Sequence, residues 1–356
     1  MVSPLPPPYG GISHWTKMLC QYANTCENVQ LYVVDIAPHW RPMYDLGIWK
    51  RVVGGSIQFL RDIIQFCAIL LVRCPHVVHL TTSGRVAIFR DLGIMLVAKL
   101  FHVPVIYHIR FGRVPTIASE NSYEWKLIAY TMHKAHIVIA IDYATQNVIR
   151  HHFPEIRLVR IPNCINMRNL QQHNGKSNSE HTVVFLGRII PTKGISELID
   201  AWTRLRPCNW RLRIIGLRNR AYQEKLLALY NPERVEFSGE MDHDKAMKCL
   251  AEADVFVFPS YTEGFPNVVL EAMALGKAII ASRVGAIPEM LADGCGLLID
   301  PKDSEALADA LAQVFEDDTL RFTMGIRARI RAMDKFSIDT VFKQYMTIWH
   351  HAAGIE

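Results

Sequence analysis

The chain has 356 residues, half of them hydrophobic, and a formal net charge of +5. This length predicts two domains, each with its own core. No window reaches the roughly 18 uncharged apolar residues that a membrane span needs, and the N-terminal segment Met1–Pro8 lacks the basic and apolar regions of a secretory signal. The sequence therefore favours a cytoplasmic protein.

Cysteine spacing and charge distribution limit the function classes further. The eight cysteines form no C-x-x-C pair and lie near no histidines at zinc-site spacing, so they are interpreted as buried reduced thiols. Residues 1–164 carry 16 Lys and Arg against 9 Asp and Glu, whereas the remainder is slightly acidic. A basic first half fits contact with an anionic membrane or an acidic acceptor, and it equally fits an ordinary solvated surface.

Short β-branched runs alternate with segments of helical period, which is the pattern of βαβ units around a parallel sheet. In the first half, strands are predicted at Val29–Val34, His76–Leu80, Val103–Tyr107 and Ile137–Ile141. Only Met1–Leu5 precedes the Pro-Pro-Pro-Tyr-Gly-Gly turn of residues 6–11, so either the first strand is very short or the start codon has been placed too late. The segment Ile57–Val72 contains Arg61 and Asp62 and is predicted to be an amphipathic helix.

The second half repeats the pattern. Its predicted strands are Thr182–Leu186, Leu212–Ile215, Val235–Phe237, Val255–Phe258, Ala278–Ala281 and Gly296–Ile299. The polar segment Gln171–Glu180 is a linker by composition. The sequence thus predicts an α/β fold with two Rossmann-like domains, 1–170 and 181–335, followed by a C-terminal helix in 336–356.

The segment Phe258–Gly276 carries two carboxylates in a strand, loop and helix setting. Glu263 lies in the loop, Pro266 is expected in the first turn of the helix, and Glu271 lies on the helix. Two carboxylates facing one crevice can bind neighbouring hydroxyls of a sugar or ribose. The alternative is that Glu263 only caps the helix and that Glu271 is a solvated helix residue.

A second segment, Val183–Gly194, places cations after another strand. Arg188 and Lys193 follow a strand that ends at Gly187, and a helix begins near Gly194. Ligands of parallel-sheet folds bind at the carboxyl ends of strands, and a guanidinium, an ammonium and a helix N-terminus suit a diphosphate. Both side chains taken singly could equally be exposed loop cations.

Together the two segments resemble glycosyltransferase family 4, which consists of retaining enzymes of the GT-B fold that use nucleotide sugars. The matching residues are Gly187, Arg188, Lys193, Gly194, Glu263, Gly264, Phe265, Glu271, Ala272 and Ala274. The resemblance implies that the two parallel sheets face a central cleft and that the C-terminal helix returns to the first domain. It also implies transfer of a hexose or N-acetylhexosamine with retention at the anomeric carbon.

The resemblance assigns roles in the second half residue by residue. Arg188 and Lys193 would neutralise the leaving diphosphate, and Glu271 would hold the ribose hydroxyls. The donor sugar's hydroxyls would be held by Glu263 and the segment Gly264, Phe265, Pro266 and Asn267. The nucleobase would lie at Ser238–Met241, with Met241 among the donor-binding residues.

In the first half, the resemblance assigns Gly10 and Gly11 to a loop that approaches the donor phosphates. It places His108, after the strand that begins at Val103, near the reacting sugar. Arg110 and Arg113 follow and are candidates for contact with an anionic acceptor. The domain junction departs from the family pattern, because Asn163-Cys164-Ile165-Asn166 lacks the usual glycine and acid.

The implied partners are a UDP- or GDP-sugar donor and a glycan or lipid-linked acceptor of polysaccharide assembly, with possible peripheral contact with an anionic membrane. No nucleic acid is expected, and neither a cofactor nor a metal, because Asp242-His243-Asp244 is better explained by an N-cap than by a metal motif. A dehydrogenase is disfavoured by the absence of G-x-G-x-x-G, and a glycosidase by the cationic segment. Two alternatives remain: a nucleotide-sugar epimerase, and a non-catalytic scaffold subunit that binds a sugar nucleotide.

Overall fold

The computed structural model describes residues 1–7, 10–38, 48–170 and 180–355, the side chains of 48–52 and 169 excepted. The chain divides into two compact units. Unit 1 comprises Met1–Asn163 and Val341–Glu356, and unit 2 comprises Cys164–Thr340. Apart from Glu180, the linker predicted at Gln171–Glu180 lies outside the described residues.

Unit 1 contains a parallel sheet of six strands in the order β2-β1-β3-β4-β5-β6. The strands are β1 (Val2–Ser3), β2 (Val34–Asp35), β3 (Val78–Thr82), β4 (Val105–Ile109), β5 (Ile137–Ala140) and β6 (Leu158–Arg160). The helices are α1 (Gly11–Ala23), α2 (Ile48–Arg73), α3 (Ala87–Leu100), α4 (Val114–Ser119), α5 (Tyr123–Met132) and α6 (Tyr143–His152). The first strand is as short as expected, and it pairs with both β2 and β3.

Unit 2 contains a second parallel six-stranded sheet, in the order β12-β11-β10-β7-β8-β9. Its strands are β7 (His181–Leu186), β8 (Trp210–Ile215), β9 (Val235–Gly239), β10 (Val255–Phe258), β11 (Ala278–Ser282) and β12 (Leu297–Ile299). Its helices are α7 (Met167–Leu170), α8 (Ile195–Leu205), α9 (Arg220–Tyr230), α10 (His243–Glu252), α11 (Asn267–Ala274), α12 (Ile287–Met290), α13 (Ser304–Glu316) and α14 (Asp318–Phe336). The final helix, α15 (Ile338–Ala353), belongs to unit 1 from Val341 onward.

The divide between the units falls earlier than residues 171–180. Ile165 forms an isolated parallel bridge with Ser337, and its backbone N–H donates to the carbonyl of Phe336 over 2.9 Å. These bonds tie Ile165 to the end of α14, and the divide therefore precedes Cys164. At the C-terminal side it falls after Thr340, within α15, whereas the sequence placed it at 336.

Helix periodicity and caps explain the local structure. In α8 the stripe that includes Ile195, Leu198 and Trp202 is fully buried, and α8 packs on α13. Several helices begin at a side chain that accepts a backbone N–H of the first turn, which satisfies a donor otherwise left unpaired. These caps are Ser122, Asp142, Asn219, Asp242, Asp303 and Asp317.

Helix α2 carries apolar side chains on both its inner and its outer face. Phe66 and Leu70 on the inner face are buried in the core of unit 1, together with the charged Asp62. On the outer face an apolar stripe at helical spacing is more than half exposed, formed by Val53, Ile57, Leu60, Ile64 and Leu71. The neighbouring α3, whose Gly93 lies against Phe59 of α2, exposes Phe89, Leu96 and Leu100 in the same way. Although it contains the charged Arg61 and Asp62, Val53–Arg73 is by length and composition alone apolar enough to cross a membrane, so the expectation that no segment could do so was wrong.

Candidate functional site

The cationic loop of unit 2 follows β7. Arg188 is exposed and makes no ion pair within the described part of the chain, and the 3-10 turn Pro191–Lys193 leads to Gly194, which precedes α8. Gly194 has φ +69°, and a Cβ there would lie 2.0 Å from the carbonyl oxygen of Pro259. Glycine at this position therefore lets the cationic loop pack directly on the end of β10.

Strands β7 and β10 are neighbours in the sheet, so the two predicted segments meet at one edge. The Lys193 ammonium forms an ion pair with the Glu263 carboxylate and lies 5.2 Å from the centre of the Phe258 ring. Both charged side chains are largely buried. A lysine ammonium has three donors, so pairing with Glu263 leaves donors for an anion.

The carboxylate loop is held by a contact that the sequence did not reveal. Gly285, in the loop between β11 and α12, has φ +55°, and a Cβ there would lie 2.4 Å from the Glu263 carbonyl oxygen. The next residue, Ala286, donates its N–H to the Gly264 carbonyl over 2.8 Å. The backbone of Glu263 and Gly264 is thereby fixed relative to β11.

Helix α11 begins after this loop. Pro266 is the N-cap residue of α11 and precedes the first turn rather than lying in it, and Asn267 is the first helical residue. The Phe265 ring is buried and packs edge to face on Phe336, with centroids 5.4 Å apart. That ring therefore belongs to the core of unit 2.

Glu271 lies on α11 and is only 9% exposed. The imidazole Nε2 of His243 lies 3.0 Å from Glu271 Oε1. This hydrogen bond raises the pKa of His243 above its ordinary value. Met241 follows β9 and is half-buried. The side chain of the next residue, Asp242, accepts the N–H of Lys245 and so caps α10, as predicted.

Tyr261, which sequence reasoning missed, ties the cationic loop to helix α8. Tyr261 donates its hydroxyl to Glu197 Oε1 over 2.7 Å, and its backbone N–H donates to the Thr192 carbonyl over 3.0 Å. Burial and this carboxylate raise the pKa of Tyr261 well above its ordinary range. A tyrosine after a strand end gives no signal in the sequence, because its partner lies on a separate helix.

Of the predicted site residues, Gly10, Gly11 and His108 belong to unit 1. Gly10 is the N-cap of α1, and its N–H donates to Ser13 Oγ over 2.9 Å. His108 lies inside β4, with Ile109 after it, and is fully buried. Its ring packs edge to face on Trp15, with centroids 5.5 Å apart. Tyr9 lies outside the described residues.

The two arginines considered for an acceptor are engaged inside unit 1. Arg110 is buried, stacks 3.7 Å from the centre of the Trp15 ring and donates to Asn163 Oδ1 over 2.6 Å. Arg113 donates two hydrogen bonds of 3.0 Å to Glu124. The Arg113 side chain remains 30% exposed, and contact of either guanidinium with an anionic acceptor stays a prediction.

Comparison with known proteins agrees with this architecture. Residues 166–331 match the family model of glycosyl transferases group 1. The chain is 27% identical over 281 residues to the capsular polysaccharide biosynthesis glycosyltransferase CapM of Staphylococcus aureus, covering 76% of this chain and 71% of the relative. It is 34% identical over 205 residues to a phosphatidyl-myo-inositol mannosyltransferase of Mycobacterium leprae, covering 55% of this chain and 54% of that relative.

Among solved structures, sucrose-phosphate synthase from Thermosynechococcus elongatus superposes with a TM-score of 0.77 at 20% identity, covering 98% of this chain and 95% of that one. HepE of Anabaena, solved in complex with UDP, superposes with a TM-score of 0.68 at 20% identity, covering 89% of this chain and 94% of that one. The two sheets thus form a GT-B fold, and the protein is a glycosyltransferase. Its segment 166–331 belongs to the glycosyl transferases group 1 family.

Proposed function

We propose that the protein transfers a hexose or an N-acetylhexosamine from a UDP- or GDP-sugar to a hydroxyl of a glycan acceptor, with retention at the anomeric carbon. The observation that carries the proposal is the pairing of Lys193 with Glu263, which brings the cationic loop and the carboxylate loop to one edge of the unit 2 sheet. Cations there stabilise a leaving diphosphate, and carboxylates hold hydroxyls. The UDP complex of HepE supports a UDP donor.

The donor site is tested by kinetics of purified protein with UDP- and GDP-sugars and an acceptor extract. Arg188→Ala and Glu271→Ala should each lower kcat/KM at least about tenfold, or about 1.4 kcal/mol. Lys248→Ala, which removes an exposed cation from α10, is the matched control and should behave as wild type. Wild-type kinetics in both site variants would contradict the assignment of the donor site.

The same assay separates the alternatives. Nuclear magnetic resonance of the product gives the coupling constant of its anomeric proton, which reports the anomeric configuration. The configuration of the donor supports retention, and the inverted configuration contradicts it. Isomerisation of the donor without acceptor would indicate an epimerase, and binding without turnover would indicate a scaffold.

We propose further that no metal is needed, since Arg188 and Lys193 can neutralise the diphosphate. A chelator should leave turnover within about twofold of the untreated rate, and a larger loss that added divalent cation restores would contradict this.

For the acceptor, we propose a lipid-linked glycan of polysaccharide assembly at the cytoplasmic face of an anionic membrane. The apolar face formed by the stripes of α2 and α3 supports this, because an exposed apolar helix face beside cations suits the headgroup region of a bilayer. Arg61 and Lys99 are exposed next to the stripes, and the name of CapM supports polysaccharide assembly.

Liposomes that contain an anionic phospholipid test the membrane proposal. The wild type should co-sediment with them at low salt, and Ile57→Ser with Ile64→Ser should reduce the bound fraction at least fivefold, about 1 kcal/mol. Phe322→Ser changes a comparably exposed apolar side chain on α14 and serves as control. No co-sedimentation of the wild type, or equal losses in both variants, would rule out this surface.

A further inference from the structure

Three side chains of unit 1 form a hydrogen-bonded chain in its interior. Trp349, on α15, has its indole Nε1 3.0 Å from His79 Nδ1. His79, in β3, has its Nε2 3.1 Å from His108 Nδ1 in β4. All three residues are at least 95% buried, so each polar atom depends on a protein or ligand partner.

The direction of this chain follows from donor chemistry. An indole nitrogen can only donate, so His79 Nδ1 must accept and carries no proton. A neutral imidazole has one N–H, which places the His79 proton on Nε2 and makes it the donor to His108 Nδ1. By the same logic the proton of His108 lies on Nε2.

Burial keeps both imidazoles neutral. Removal from water lowers the pKa of His79 to about 3 and the pKa of His108 well below its ordinary value, with the Arg110 charge acting in the same direction. If either ring carried a second proton, two N–H groups would face each other in one of these hydrogen bonds, and neither could accept.

The far end of the chain lacks an acceptor. His108 Nε2 is buried and has no hydrogen-bond partner in the described residues. The adjacent side chains of Trp15 and Arg110 carry only donors. The Tyr345 ring also lies beside His108, with centroids 6.0 Å apart, but among the described residues no hydrogen bond joins its hydroxyl to His108 Nε2. A buried N–H without a partner costs about 1–3 kcal/mol, so an acceptor oxygen at this position would be bound favourably.

We infer that Trp349 and His79 are positioning residues that hold His108 in its Nε2–H tautomer, so that His108 donates a hydrogen bond to an oxygen of the sugar substrate. The inference rests on the proposed transferase function for that last step. His108 therefore acts as a fixed hydrogen-bond donor, and it does not accept a proton from the acceptor hydroxyl.

Tautomers are read directly from long-range proton–nitrogen correlations of the full-length protein labelled with 15N-histidine. In the wild type, His79 and His108 should both show the neutral Nε2–H pattern. Trp349→Phe keeps an aromatic ring but removes the N–H, and it should shift both histidines toward Nδ1–H or a mixture. The same variant should lose at least tenfold in kcat/KM.

Phe342→Leu is the matched control. Phe342 packs edge to face on Trp349, with centroids 5.7 Å apart, so this variant disturbs the same aromatic packing and retains the indole donor. It should keep the wild-type tautomers and lose less activity than Trp349→Phe at a similar melting temperature.

An Nδ1–H tautomer of His108 in the wild type would overturn the inference, and so would unchanged tautomers in Trp349→Phe. A wild type with the expected tautomers that transfers no sugar would instead refute the proposed function and the role of the donor. The tautomer assignment would then still stand.

Discussion

At the scale of single residues, the donor site depends on pairs that join distant parts of the sequence. Glu271 is buried on α11 and lies beside the His243 imidazole of α10. An imidazole at this position fixes the orientation of the carboxylate that is proposed to hold the ribose. His243 is therefore a positioning residue that the spacing of the family motif does not indicate.

The raised pKa of His243 gives a test with a defined sign. Because the folded pKa lies above the unfolded value of about 6.5, the protonated imidazole stabilises the folded chain fully below that pH, and this contribution is lost as pH rises through the folded pKa. The charges that face it are Glu271, Asp242 and Asp244. We expect His243→Asn to lower the melting temperature more at about pH 6 than at about pH 9.

Thermal unfolding of both proteins across this range is the measurement. Lys245→Ala, on the same helix, is the control for a general change in the stability of α10. An equal difference between His243→Asn and wild type at both pH values would contradict the assigned hydrogen bond.

At the scale of elements, the two site loops are positioned by glycines. Gly194→Ala should destabilise the protein for two reasons: an L-residue with φ +69° costs about 1–2 kcal/mol, and its Cβ would collide with the Pro259 carbonyl. Gly239 also has a positive φ, +75°, but a Cβ there meets nothing within 4 Å. Gly239→Ala should therefore show the conformational cost alone.

Chemical denaturation of the two variants measures the difference. A larger loss of unfolding free energy for Gly194→Ala than for Gly239→Ala is expected, together with lower transferase activity. Equal losses would show that the close approach to Pro259 contributes nothing.

Predictability from sequence differs between buried strands and edge strands. Val255–Phe258 was predicted with the bounds that the structure has, because a strand buried on both faces is a continuous apolar run. The edge strand Leu158–Arg160, half-exposed and partly charged, was missed. The strand predicted at Val29–Val34 was largely wrong, since only Val34 is paired.

The residues of the candidate site also divide into those with a local signal in the sequence and those without one. Arg188, Lys193 and Glu263 could be placed at one edge of the sheet from the sequence, because each follows a predicted strand and strand ends share one edge of a parallel sheet. Gly285, Tyr261 and His243 were missed because each acts on a residue of another loop or helix, and no local pattern encodes such a contact. His108 was expected to end its strand and lies one residue before the end of β4, where it is fully buried; its role near the sugar stays a prediction.

At the scale of the whole molecule, the proposal predicts that ligand binding and folding are coupled. UDP at about 100 times its Kd should add about 2.7 kcal/mol to the stability of whatever part of the chain binds it. We expect UDP to raise the melting temperature of the wild type by several degrees, and to raise that of Glu271→Ala much less. Differential scanning fluorimetry at matched UDP concentrations checks this, and an identical rise in both proteins would place the nucleotide elsewhere.

The outward apolar stripe of α2 also has a consequence for handling the protein in water. Side chains such as Ile57, Leu60 and Ile64 stay hydrated when no bilayer is present, and hydrated apolar surface favours self-association. In dilute buffer we therefore expect a concentration-dependent sedimentation coefficient that mild detergent abolishes. Crystals grown without detergent would then bury this stripe against a neighbouring molecule.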